Sequence, residues 1–154
     1  MFMHIVLVEP EIPQNTGNIA RTCALTGTRL HLIKPLGFSV ENRYLKRAGL
    51  DYWDEVEVKM WDSFQQLSAT LVGHRFFLAT THAKTSYHQF RYQADDVLVF
   101  GRETKGLPPE ILAAFPDTQI RIPMRNLGRS LNLSNSAAVV LYEALRQNGF
   151  PGLK

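Results

Sequence analysis

Three stretches of this chain gather amides, hydroxyls, cations and glycines in otherwise apolar surroundings. The first is Pro13-Gln-Asn-Thr-Gly-Asn-Ile-Ala-Arg21. Asn15 and Thr16 suit the capping of a following helix, Gly17 lets a second backbone approach, and Arg21 projects a turn further on. Capping accounts for most of this composition, so the segment alone also reads as a capped helix with a solvent-facing arginine. The second is Val99-Phe-Gly-Arg-Glu-Thr-Lys-Gly-Leu-Pro108, where Gly101 and Gly106 bracket Arg102, Glu103 and Lys105. Backbone donors and mixed charge could wrap a polar small molecule there, and an ordinary glycine turn would look the same. Lys-Ser/Thr does not follow Gly106 and G-x-G-x-x-G is absent, which removes the main support for nucleoside triphosphate and dinucleotide sites. The third is Ile120-Arg-Ile-Pro-Met-Arg-Asn-Leu-Gly-Arg-Ser-Leu-Asn-Leu-Ser-Asn135. An irregular loop of about ten residues between an apolar strand and an apolar helix is uncommon and usually functional. Ser134 or Asn135 suits the cap of that last helix.

Other chemistries find little support. His4, His31, His74, His82 and His88 lack metal-ligand spacing and read as structural or surface histidines, so no metal is expected. Cys23 is the only cysteine, which excludes an intramolecular disulfide and fits a reducing, cytoplasmic setting. No G-x-S-x-G elbow appears. Tyr44, Tyr52, Trp53 and Trp61 could stack on bases, yet beside Leu45 and Leu50 they read first as core or interface. With 154 residues the chain is expected to form one domain, 1–154. Its 45% hydrophobic content includes no run approaching the ~20 apolar residues of a bilayer span, so no membrane is expected. The N-terminus reads as a first strand and not as a signal peptide. The formal charge is only +3, with Asp51, Asp54, Glu55, Glu57 and Asp62 crowded together. Arg102, Lys105, Arg121, Arg125 and Arg129 concentrate positive charge on the second and third stretches, which permits an anionic partner.

The elements that must position these stretches follow from apolar patterning. Strands are expected at 4–8, 30–33, 56–59, 76–80, 97–100 and 119–122, and runs such as IVLV and VLVF suit strands covered on both faces. Helices are expected at 18–25, at 63–72, after Pro108-Pro109 and at 134–147, the last closing at Asn148-Gly149. Such alternation predicts an α/β fold with a mostly parallel sheet flanked by helices. Ligands then bind beyond the carboxyl ends of the strands, in the loops after Val8, Thr80, Phe100 and Ile122.

Taken in order, NTGNIAR, LVFGRETKGLP and IRIPMRNLGRSLNLSNSAAVVLYEA resemble the three motifs of the SPOUT superfamily of RNA methyltransferases, and the resemblance covers the whole chain. EPEIPQNTGNIARTCALTG and RAGLDYW resemble, within it, the tRNA 2'-O-methyltransferases that act on the wobble nucleotide, cytidine or 5-carboxymethylaminomethyluridine. The resemblance implies a C-terminal trefoil knot, an S-adenosylmethionine pocket built from its loops, a homodimer and an anticodon stem-loop of tRNA as substrate. It places Ala79, Gly101, Glu103, Ile122, Met124, Ser130 and Leu131 at the cofactor. It places Asn15, Arg21, Ser130, Asn132 and Asn135 among catalytic or substrate-orienting groups. Glu103 has two readings: a carboxylate facing the sulfonium, or one that holds Ser130 or a backbone donor. The same chemistry at another tRNA or rRNA position, and a non-catalytic RNA-binding protein of this fold, are the alternatives.

The implied reaction is in-line attack of a ribose 2'-oxygen on a sulfonium methyl, which asks the protein for alignment and for support of alkoxide character. The family casts the motif-one arginine as the base. A guanidinium ordinarily keeps its proton to above pH ~12, which favours Arg21 as electrostatic partner of the alkoxide unless a bound phosphate or burial perturbs it. The last helix carries Val139, Val140, Leu141 and Leu145, more apolar side chains than one face needs, and a two-fold interface would bury the excess.

Overall fold

Apolar strands need cover on both faces, and the arrangement of helices supplies it. The computed structural model describes residues 1–41, 43, 45, 47 and 53–154. In chain order it contains β1 (His4–Val8), α1 (Pro13–Thr26), β2 (Arg29–Ile33), β3 (Val58–Trp61), α2 (Phe64–Thr70), β4 (Phe76–Ala79), β5 (Val97–Phe100), α3 (Pro109–Ala114), β6 (Gln119–Ile120) and α4 (Leu133–Gln147). A short turn of 3-10 helix, Tyr87–Gln89, lies between β4 and β5. The six strands form one sheet in the order β3-β2-β1-β5-β4-β6 with every pairing parallel.

Alternate side chains of each strand serve opposite faces. On one face Ile5, Leu7, Leu30, Leu98 and Phe100 pack with Ile19 and Cys23 of α1 and Val140, Leu141 and Ala144 of α4. On the other, Val6, Val8, Ile33, Leu78 and Val99 pack with Phe64 and Leu67 of α2 and Ile111 of α3. Strands β1, β2 and β3 progress to one side while β5, β4 and β6 lie on the other. The order therefore reverses between β1 and β5, and a crevice opens there beyond the carboxyl ends of the strands. No helix among the described residues is long and apolar enough to cross a membrane.

Several expected details are corrected. Helix α1 begins at Pro13 and not at residue 18, so Asn15, Thr16 and Gly17 are buried within its first turns and do not cap it. Ile12 sits at the N-cap without a side-chain bond, and Pro13 opens the helix where its missing N–H has no partner to lose. Neither Ser134 nor Asn135 caps α4. Asn132 does, its Oδ1 accepting from the amides of Ser134 (2.9 Å) and Asn135 (3.2 Å). Strand β3 starts two residues later than expected, in the register that sets Trp61 beside Ile33. Strand β6 and helix α2 are shorter than their expected spans. Val140, Leu141 and Leu145 belong to the core, which leaves Val139 as the exposed member of that set, with Tyr142 three residues on also exposed, at 46%. Tyr44, Leu50, Tyr52 and most of RAGLDYW lie outside the described residues.

Candidate active site

A cavity of about 460 Å³ occupies the crevice. The loops that follow β1, β4, β5 and β6 line it, the set expected for a parallel sheet of this order. Ile12 and, from the first turn of α1 that follows it, Asn15 come from the first, 79–82 from the second, 101–107 from the third, and Ile122, Met124 and 130–133 from the last. Ala79, Gly101, Glu103, Ile122, Met124, Ser130 and Leu131, the positions expected at a cofactor, all lie in this wall. Asn15 and Asn132 join them. Arg21 and Asn135 do not: both are exposed, on α1 and on the first turn of α4.

The loop after β5 is folded tightly on itself. Arg102 and Gly106 exchange backbone hydrogen bonds of 3.2 and 2.9 Å, and Gly106 has φ of 67°. A Cβ on Gly101 would run into the Gly106–Leu107 peptide, so glycine is the residue that lets these backbones meet.

Glu103 stands beside that turn and in the cavity wall. Its Oε1 accepts the Glu11 amide (2.9 Å) and its Oε2 accepts the Ile12 amide (2.8 Å) and the Asn15 side-chain amide (3.2 Å). The carboxylate thus holds backbone donors at the entry to α1, an end that favours negative charge. Asn15 Oδ1 in turn accepts from Asn132 Nδ2 at 3.1 Å. Asn132 Oδ1 accepts the first amides of α4 and the Ser134 hydroxyl at 2.6 Å. One hydrogen-bonded chain, Glu103 to Asn15 to Asn132, therefore joins all three sequence segments around the cavity.

Sequence reasoning missed two partners. Glu11 Oε1 accepts both the amide (3.1 Å) and the hydroxyl (2.8 Å) of Thr104. Those bonds, with the nearby Arg102 and Lys105 charges, hold the Glu11 carboxyl below the usual carboxylate range. A pairing between residues 93 apart leaves no spacing signal.

The histidines are less scattered than their spacing suggests. His4, at the end of β1 away from the cavity, shares a 2.9 Å hydrogen bond with His31, whose Nδ1 accepts from Trp61 Nε1 at 2.9 Å. His74 meets the His4 ring edge-on. Burial pushes His4 down to about 4 and His31 to about 3. Among the described residues no three His, Cys, Asp or Glu side chains converge as a metal site.

The chain matches the SpoU rRNA Methylase family over residues 2–142. It belongs to that family. This SpoU methylase is 54% identical to the tRNA (cytidine(34)-2'-O)-methyltransferase of Methylovorus glucosotrophus, over 96% of this chain and 97% of that one. A solved structure described as giving structural insights into the 2-OH methylation of C/U34 on tRNA superposes with a TM-score of 0.91. It is 46% identical and covers 96% of this chain and 97% of that one. The AdoMet-bound rRNA methyltransferase of Sinorhizobium meliloti has the same fold, with a TM-score of 0.83 at 24% identity over 94% of this chain and 56% of that one.

Proposed function

We propose that this SpoU methylase transfers the methyl group of S-adenosylmethionine to the ribose 2'-oxygen of the wobble nucleotide, cytidine or 5-carboxymethylaminomethyluridine, in tRNA anticodon loops. The observation that carries the reading is the cavity around which Glu103, Asn15 and Asn132 tie three separate segments. The wobble position follows the named activity of the 54% identical relative.

The residues present fit a methyl donor of this kind. Ile120, Ile122, Leu107 and Leu131 offer an apolar wall for a flat base, and the cavity volume lies in the usual range for small-ligand sites of about 300–1,000 Å³. When bound, S-adenosylmethionine supplies an electrophilic methyl on a sulfonium. Ala79, Gly101, Glu103, Ile122, Met124, Ser130 and Leu131 would hold it. Glu103 already accepts three N–H groups, so it acts by fixing the loops and not as general base. Asn15 and Asn132 orient the ribose side of the site, and Asn135 faces the substrate. The Arg21 guanidinium stabilises the negative charge that develops on the ribose 2'-oxygen as its proton passes to solvent water, while Arg125 and Arg129 meet RNA phosphates.

Arg21 lies outside the cavity wall of its own chain, which supports a site shared in a homodimer, with Arg21 of one chain serving the cavity of the other. Exposed Val139 and Tyr142 on α4 and Phe150 just after it offer an apolar face for that pairing. We read the chain as a single cytoplasmic domain, 1–154, that needs no membrane and no metal. A trefoil knot in its C-terminal part has support from the 80–96 connection. Its Thr85 and Tyr87 backbones bond Arg121 just after β6, and its Phe90 and Tyr92 backbones bond Gln147 of α4.

Labelled methyl donor with tRNA from cells lacking this chain tests the reading. Arg21→Ala is expected to abolish turnover while S-adenosylhomocysteine affinity stays within a few fold. Mixing Arg21→Ala with Ser130→Ala chains under subunit exchange restores activity if the site is shared. A dead mixture in which mixed dimers are shown to form means that each site is built within one chain.

A further inference from the structure

We infer that Glu11 and Thr104 form a latch through which the cavity loop 101–106 sets the position of α1, and that Glu11 is a positioning residue for methyl transfer. Filling of the cavity by the methyl donor then fixes the helix that carries Arg21. The inference rests on the reading of the cavity as the methyl-donor site.

The backbone on which Glu11 is mounted is fixed by its neighbours. Glu9 has φ of 53°, a left-handed conformation that a non-glycine residue keeps only where its surroundings impose it. Its amide donates to Ile33 O at 2.9 Å, and Pro10 O accepts the Gly37 amide at 2.9 Å. Gly37 is packed so closely that a Cβ there would lie 2.8 Å from Glu11 Cα. Two anchors from the β2 side thus pin the main chain on which the carboxylate is mounted.

From that fixed mount the Glu11 carboxylate accepts two bonds from Thr104. The adjacent Glu103 makes the opposite connection, accepting the Glu11 and Ile12 amides. Two neighbouring residues of the cavity loop therefore grip two neighbouring residues at the entry to α1, with donor and acceptor roles exchanged. All four principal bonds have an ionised acceptor, the stronger kind of hydrogen bond. Glu103 and Thr104 line the cavity whereas Glu11 does not, so Glu11 acts through the loop and not on a bound molecule. Gly101 and Gly106 bound the loop, and whatever orders it between them tightens the latch. By linkage, tightening of the latch favours the ordered loop in return.

Hydrogen exchange with and without S-adenosylhomocysteine, together with kcat and affinity, tests this in the full chain. In the wild-type protein the ligand is expected to slow exchange of the first amides of α1. Glu11→Ala loses most of that added protection, and Thr104→Val, which keeps the amide donor but not the hydroxyl, loses part of it. Their kcat falls by about tenfold to a hundredfold, the scale of a small misplacement remote from the chemistry. Affinity for S-adenosylhomocysteine falls by less than kcat does. Thr104→Ser keeps both donors and restores protection and turnover. Undiminished ligand-induced protection in Glu11→Ala overturns the inference, as does a Thr104→Ser protein as impaired as Thr104→Val. Equal losses of affinity and kcat in Glu11→Ala place Glu11 in the cofactor wall and overturn it as well. A wild-type protein that binds no S-adenosylhomocysteine removes the reading of the cavity itself, and the latch with it, an outcome separate from normal binding with no effect on α1.

Discussion

Asn132 donates to Asn15 across 117 residues of chain, Nδ2 to Oδ1 at 3.1 Å, while its own Oδ1 caps α4. One side chain thereby sets both the start of the last helix and the orientation of the amide that faces Glu103. The two helices that pack against each other over β1 and β5 are thus joined at their first turns as well as through their apolar faces.

Asn132→Ala is expected to cost about 1 kcal/mol of stability through the lost cap. It also removes the donor to Asn15 Oδ1 and leaves that amide held by Glu103 alone, so turnover falls further than stability alone explains. Urea unfolding and turnover of Asn15→Ala, Asn132→Ala and the double variant give the coupling, which should be at least about 0.5 kcal/mol for residues in one network. Additive effects would mean that the bond between them carries no function.

Gly101→Ala puts a methyl group into the Gly106–Leu107 peptide. The loop must open to accept it, and calorimetry should show loss of S-adenosylhomocysteine binding while the far-ultraviolet circular dichroism stays native. Wild-type affinity in this variant would show that the tight turn is not part of the cofactor wall.

The His4–His31 pair gives the fold a pH dependence of defined sign. Both groups titrate below the ordinary 6.5 in the folded protein, at about 4 and about 3, chiefly because burial disfavours their charged forms. The unfolded chain then binds more protons than the folded one through that window. The contribution is fully present above about pH 6.5 and is lost as pH falls toward the folded values, at up to about 1.4 kcal/mol per pH unit for each ring. Urea midpoints should drop accordingly on acidification, and replacing both histidines with glutamine should flatten the slope. An unchanged slope in the double variant would assign the acid sensitivity to other groups.

What the sequence revealed and what it hid have physical causes. IVLV and VLVF could be placed because strands buried on both faces are continuously apolar, and the loops after them became candidate ligand loops by the geometry of parallel sheets. The start of α1 was misplaced because Asn15, Thr16 and Gly17 have the local preferences of a cap, which packing of the buried first turns overrides. The cap of α4 was misassigned because Asn132, Ser134 and Asn135 are all competent, and only the bond to Asn15 singles out the first. His4, His31 and His74 meet through strand register and loop placement, which composition does not encode. The wall of the cavity was legible through likeness of three motifs in order, whereas the partner of Glu11 depends on how two distant loops come together.

The most direct measurement maps ribose methylation in tRNA from cells with and without this chain, by nuclease digestion and mass spectrometry of the anticodon loop. The account predicts a 2'-O-methyl group on nucleotide 34 of selected tRNAs, lost without the chain, restored by the wild-type sequence and not by Arg21→Ala. Methylation that persists at that ribose, or disappears only from a base or another position, would contradict it.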